Sequence, residues 1–264
     1  MDYQRYEHLE ITREGRIVTV TINRPEVKNA LNHELHQEFG TIFTDLDLDN
    51  SCDVVILTGA AGAFSAGGDI HWIREQCGNL PMNTAAGRTN RRIQASILDL
   101  EKPIIAKVRG PAIGLGCSLA LFCDFVYATP DATFADPHVA VGLVAGDGGP
   151  AIWPQLIGYA RARRYLLTGD PIRGAEAAEI GLITEAVPDE RLDEVVDAMA
   201  KRLASGATYA IRYTKAAINA GLKVTAAAVI DRAAAFENLT QFSNDNRIAV
   251  EAFLAKQKPV FTGS

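Results

Sequence analysis

Three short apolar runs separated by helical periodicity restrict this chain to an alternating α/β fold. RIVTVTI (Arg16–Ile22) alternates as a half-buried strand does, while DVVIL (Asp53–Leu57) and PIIAKV (Pro103–Val108) are continuous apolar runs bounded by turn residues. The latter pattern is that of strands covered on both faces. Between the first two runs, Leu31, Leu35, Phe39, Ile42, Phe43 and Leu46 recur at spacings of three and four, so the stretch after Asn32 buries one face of a helix. Strands alternating with helices imply right-handed crossovers and a largely parallel sheet.

From about Pro188 the pattern becomes almost wholly helical, and helices are expected at Arg191–Ser205, Thr208–Ala220, Thr225–Gln241 and Asp245–Lys256. Residues 1–190 are therefore read as the α/β core and 191–264 as a helical region. Its Ala-rich runs at 226–228 and 233–235 suit close helix packing, including against another subunit. A net charge of −6 argues against broad nucleic-acid binding, which needs a basic surface to displace counterions. No basic start followed by an apolar run is present, nor any apolar stretch of about 18 residues, so the expectation is a cytoplasmic protein with no membrane partner. Cys52, Cys77, Cys117 and Cys123 lack CxxC spacing and are expected as free, buried thiols.

Two glycine-rich turns follow strands and lead into helices: GAFSAGGDI (Gly62–Ile70) and RGPAIGLGCSLALFCD (Arg109–Asp124). Such junctions let backbone approach a ligand closely, and free amides at a helix start bind negative charge. Gly114-Leu115-Gly116 is not a dinucleotide fingerprint, because position 119 is Leu and no acidic residue stands at a ribose-binding distance.

The segments NRPEVKNALN, AFSAGGDI, KPIIAKVRGPAIGLGCSLALFCD, GLVAGDGG, LLTGDPI and AAEIGLITEAVP stand in the order and spacing of the crotonase, or enoyl-CoA hydratase/isomerase, superfamily. The resemblance runs from about Ile17 to Phe261. It implies a spiral of ββα units with a C-terminal helical trimerisation region, a homotrimer or homohexamer, an acyl-CoA thioester as substrate, and no cofactor beyond the CoA moiety. It also implies two backbone amides that stabilise the thioester enolate, falling on Gly68 and Leu115. The CoA positions of the family match Arg24, Lys28, Ala30, Ala66, Asp69, Ile70 and Lys258. Asp69 has a rival role as a helix cap.

The family's two hydratase glutamates fall on Ser118 and His138, so neither carboxylate is present. A His with an ordinary pKa near about 6.5 can act as a general base at neutral pH, and a Ser hydroxyl can donate or accept. Asp147, one position beyond an aspartate found in some isomerases of the family, can orient the imidazole or itself move a proton. The alternatives are a packed histidine at 138, a space-filling serine at 118 and a helix N-cap at 147. His33 and His36 are three apart, as metal ligands can be, but their surroundings suit a solvated helix face, and no metal is expected. His71 and Trp72 are candidates for the acyl pocket; Arg88, Arg91 and Arg92 form a solvated face or touch CoA phosphates.

The expected function is hydration/dehydration of an enoyl-CoA, or a related lyase or isomerase step through the same enolate. One alternative is hydrolysis of a thioester or C–C bond through His138 with Ser118 or Asp147, although no GxSxG elbow surrounds Ser118. The other is a catalytically silent acyl-CoA-binding member.

Overall fold

The computed structural model describes Met1 and residues 3–264. The alternating pattern builds a six-stranded sheet in the order β1 (Leu9–Glu14), β2 (Ile17–Ile22), β3 (Val54–Gly59), β4 (Ile104–Val108), β6 (Phe125–Ala128), β9 (Glu185–Ala186). The expected parallel pairing holds from β2 onward, while β1 folds back antiparallel on β2 through a two-residue turn. Alternation along β2 sends Val18, Val20 and Ile22 inward, whereas Val55, Leu57, Ile104 and Ala106 leave the middle strands essentially without exposure.

Helix α1 (His33–Leu48) buries Leu35, Phe39, Ile42, Phe43 and Leu46 against the sheet. It begins where Asn32 accepts the Leu35 amide at 3.0 Å, a side-chain N-cap. Beside it runs α3 (Leu80–Asp99), preceded by the short α2 (Ile70–Gln76). The opposite face of the sheet is covered by α7 (Asp189–Ala204), whose Leu192, Val196 and Ala200 pack on Val54, Ile56, Ile105 and Tyr127.

A second, three-stranded sheet joins β5 (Pro111–Ile113), β7 (Thr133–Ala135) and β8 (Ile172–Arg173). The chain leaves β4, forms β5, and enters α4 (Leu115–Leu121), so strand, strand and helix repeat as a unit. The remaining helices are α5 (Gly149–Thr168), broken at Gly158, the short α6 (Gly174–Glu179), α8 (Thr208–Thr240) and α9 (Asn244–Leu254).

The two helices expected at 208–220 and 225–241 are one 33-residue helix, α8. Gly221 reads as a break, yet a helical Gly costs only about 1 kcal/mol. The anchors just before it exceed that cost. Lys215 Nζ donates to Lys102 O at 2.8 Å and pairs with Asp124 Oδ2 at 2.7 Å, and Asn219 Nδ2 donates to Leu98 O at 3.1 Å. All four cysteines are free; Cys77 is half-buried rather than buried. Among the described residues no helix is long and apolar enough to cross a membrane.

Lys102 closes the end of α1. The residue is 1% exposed, and its ammonium donates to the carbonyls of Leu46, Asp47 and Asp49. Carbonyls at a helix end otherwise lack partners, and burial leaves them no water. Lys102→Met keeps the stem and removes all three bonds; urea denaturation is expected to show a loss of about 3 kcal/mol.

Candidate active site

The two glycine-rich turns meet because backbone stitches them together. Ser65 N–H donates to Pro111 O at 2.8 Å and Ile113 N–H to Ser65 O at 3.0 Å, forming a parallel bridge between Ser65 and Ala112. Gly116 permits the approach, since a Cβ there would lie 2.6 Å from Ser65 Cβ. Gly114 turns the chain into α4 with φ 53° and ψ −124°, a conformation that side-chain-bearing residues avoid. A Cβ on Gly114 would stand 4.0 Å from Gly67 Cα, 3.7 Å from His138 Cε1 and 3.9 Å from Asp147 Oδ2.

Neighbouring amides in these turns have acceptors: Gly67 N–H donates to Ser65 Oγ, Asp69 N–H to Leu31 O and Gly114 N–H to Ala135 O. Among the described residues, no turn, loop or cap carbonyl accepts from Gly68 or Leu115. Both residues line one cavity of about 250 Å³, together with His138, Asp147 and Glu237. Two such amides can donate to one oxygen on which negative charge develops.

His138 sits in a 3₁₀ turn after β7, where its ring is held from both sides. Nδ1 hydrogen-bonds Asp136 Oδ1, and Nε2 lies 3.4 Å from Asp147 Oδ2. Asp147 is 5% exposed and accepts from Ser118 Oγ at 3.1 Å. The N-cap of α5 is Gly148, with no side-chain bond, so Asp147 is not the helix cap that its position suggested. Its carboxylate faces the cavity. Ser118, at 1% exposure, lies behind Asp147 and reaches the cavity only through it.

Glu237 completes the group from α8, packing so closely on Gly146 that a Cβ there would lie 2.0 Å from Glu237 Oε2. Burial alone would lower the His138 pKa, but Asp147 and then Asp136 outweigh it and hold the imidazolium well above its ordinary range. Burial pushes Asp147 up to about 6 against the opposing pull of His138. Burial likewise raises Glu237 to about 7. His138 is thus charged and tied at both nitrogens, so the groups that exchange protons near neutrality are the two carboxyls.

Sequence reasoning missed Asp136 and Glu237. The former carries a faint signal, two residues before His138 in ADPH; the latter lies in a helix read as an oligomerisation element and carries none. Asp136, His138 and Asp147 offer ligand atoms within 4.8 Å of one another, enough to hold an ion, but the imidazolium already supplies positive charge to both carboxylates. The pair at 33 and 36 converges on no metal-like group among the described residues: His33 is exposed, and His36 is buried with its ring 5.0 Å from that of Trp72.

The turn holding Arg24, Lys28 and Ala30 is stitched to the first glycine turn by Ala66 N–H to Lys28 O at 2.9 Å. Ala66 and Ile70 line the cavity. Asp69 caps α2 by accepting the His71 amide at 3.0 Å and pairs with Arg24 at 3.4 Å, while Arg24 also donates to Ala30 O. Lys28 and Lys258 are exposed and do not line the cavity of this chain. Trp72 lines it; His71 points away, and Arg88, Arg91 and Arg92 are exposed on α3.

This geometry has close relatives. The enoyl-CoA hydratase/isomerase family model matches residues 12–264. The chain is 35% identical over 257 residues to a short-chain-enoyl-CoA hydratase of Clostridium acetobutylicum, covering 94% of this chain and 95% of that protein. It is 33% identical over 252 residues to a 1,2-epoxyphenylacetyl-CoA isomerase of Escherichia coli, covering 95% and 96%. A crystal structure of an enoyl-CoA hydratase/isomerase from Mycobacterium paratuberculosis superposes with a TM-score of 0.91 at 34% identity, covering 94% and 99%. The chain belongs to the enoyl-CoA hydratase/isomerase family of acyl-CoA enzymes, and its fold is the crotonase fold.

Folding raises the Glu237 pKa from 4.5 to about 7, so the native state holds this proton more tightly than the unfolded chain. Stability is therefore greatest, as far as this group is concerned, below about pH 4.5 and falls as pH rises to about 7. Glu237→Gln has no proton to lose. At pH 8 urea denaturation is expected to show it more stable than the wild type by about 3 kcal/mol, with the advantage vanishing below about pH 4.5.

Proposed function

We propose that this chain adds water reversibly across the double bond of an enoyl-CoA thioester. The observation that carries this reading is the presence of two carboxyls with pKa values near 6 and 7, Asp147 and Glu237, in the cavity that also holds the unpartnered Gly68 and Leu115 amides. One carboxyl can take a proton while the other gives one.

The thioester oxygen accepts from Gly68 N–H and Leu115 N–H, which draws electron density from the β-carbon. Ionised Asp147 takes a proton from water as the oxygen bonds to that carbon, and the π electrons move onto the thioester oxygen. Protonated Glu237 then delivers a proton to the α-carbon as the enolate collapses. Dehydration runs the same steps backward. His138 and Ser118 hold Asp147 in place and stabilise its charge, and Asp136 holds His138. The CoA nucleotide end lies along Arg24, Lys28, Ala30, Ala66, Asp69 and Ile70, with Lys258 near its phosphates.

Ser118 donates to Asp147 rather than facing the imidazole, which favours hydration over hydrolysis through a serine nucleophile. We also infer a cytoplasmic homotrimer or homohexamer, supported by exposed apolar side chains along α8, among them Tyr209, Tyr213, Ile218 and Leu239. Sedimentation velocity is expected to give the mass of three or six chains.

Mass spectrometry of enoyl-, β-hydroxy- and β-keto-thioesters tests the reaction. The expected result is gain or loss of one water with the thioester intact, lowered about 10²–10⁴-fold in Asp147→Asn and only about tenfold in Ser118→Ala. Free CoA, a shortened acyl group, a shifted double bond without water, or no turnover each overturns it. The kcat/KM profile is expected to rise through an apparent pKa of about 6 and fall through about 7. In His138→Gln the acid limb moves to higher pH, because the imidazolium that lowers the Asp147 pKa is gone.

A further inference from the structure

Polar residues stand among the apolar ones that line the cavity. Among the described residues, five of these lining residues each carry a buried polar atom with no hydrogen-bond partner: His36 Nδ1, Trp72 Nε1, Asn83 Oδ1, Asn90 Oδ1 and Gln241 Oε1. Four of the residues are as enclosed as core side chains, with Asn83 at 1%, His36 at 3%, Asn90 at 6% and Gln241 at 7% exposure, and Trp72 is half-buried. They come from α1, α2, α3 and the residue that ends α8, so four elements converge on one region.

Two of the amide orientations are fixed from behind. Asn83 Nδ2 donates to Gln76 O at 3.0 Å and Asn90 Nδ2 to Gly146 O at 3.3 Å, which turns both Oδ1 atoms away from those carbonyls as acceptors. Trp72 Nε1 can only donate. His36 is held uncharged by burial and can do either. No Lys or Arg lines the cavity, while Asp147 and Glu237 do.

From this we infer that the acyl group this enzyme accepts carries a hydroxyl, recognised by Trp72, Asn83, Asn90 and Gln241. The inference rests on the acyl-CoA reading above. A straight hydrocarbon tail would offer these buried groups no partner and leave them unpaired, which burial penalises. A carboxylate tail would meet two acidic groups and no Lys or Arg, the one imidazolium being already held between Asp136 and Asp147. A hydroxyl supplies both the donor that the asparagine oxygens need and an acceptor for the indole N–H. Sites built to bind a substrate hydroxyl discriminate strongly against analogues that lack it.

Calorimetric binding of unreactive CoA thioethers tests this without requiring turnover. The probes are S-hexyl-, S-(hydroxyhexyl)-, S-(oxohexyl)- and S-(carboxypentyl)-CoA, measured on the full chain. The hydroxyl tail is expected to bind at least about tenfold more tightly than hexyl and more tightly than oxo, which can only accept, with the carboxylate weakest. Trp72→Phe, which keeps the ring stack and removes one donor, is expected to reduce the preference about fivefold or more; Asn90→Leu is expected to abolish most of it. Equal or tighter binding of hexyl, a carboxylate preference, or an unchanged preference in both variants overturns the proposal alone. Failure of every thioether to bind overturns the acyl-CoA reading together with it.

Discussion

The site depends on the backbone bridge between Ser65 and Ala112. The amides of Gly68 and Leu115 belong to different crossovers of the sheet, and nothing in either crossover alone would bring them together. Two hydrogen bonds of 2.8 and 3.0 Å join the segments, and the missing Cβ of Gly116 lets Ser65 pack beneath the start of α4. The bridge transfers the register of the sheet to the cavity. Donor geometry is thereby set by the most rigid part of the molecule, where it does not reorganise as charge develops.

The second organising element is charge. Three carboxyls and one imidazole share a nearly dry region, and all of them cannot ionise together. The ring of His138 takes the positive charge because two carboxylates hold it from opposite sides, and the remaining competition falls on Asp147 and Glu237. Their values near 6 and 7 follow from burial opposed by the imidazolium. Ser118 and His138 thus stand in a site whose titratable carboxyls come from other elements, Asp147 before α5 and Glu237 on α8.

The central strands and α1 were legible in the sequence because their periodicity spans enough residues to be unambiguous. The strands β5, β7 and β8, of three, three and two residues, are too short to carry a period. They exist through pairing with distant segments. The continuity of α8 was hidden because Gly221 suggests a break and the anchors at Lys215 and Asn219 are tertiary. Within the site, the family motifs located Gly68, Leu115, Ser118, His138 and Asp147, yet no spacing revealed that Ser118 lies behind Asp147. Glu237 is separated from Asp147 by three helices, and a lone glutamate on an amphipathic helix looks like a solvated one.

That arrangement fixes the order in which the walls of the cavity are supplied along the chain. Both glycine turns and the Asp136–His138–Asp147 clamp have been made once the chain reaches α5. The cavity still lacks Glu237, Asn238, Gln241 and Phe253, which all come from the last quarter of the chain. A chain that ended before α8 would leave His138 and Asp147 without the residues that complete the cavity around them. The enclosure of the site is thus a property of the finished polypeptide.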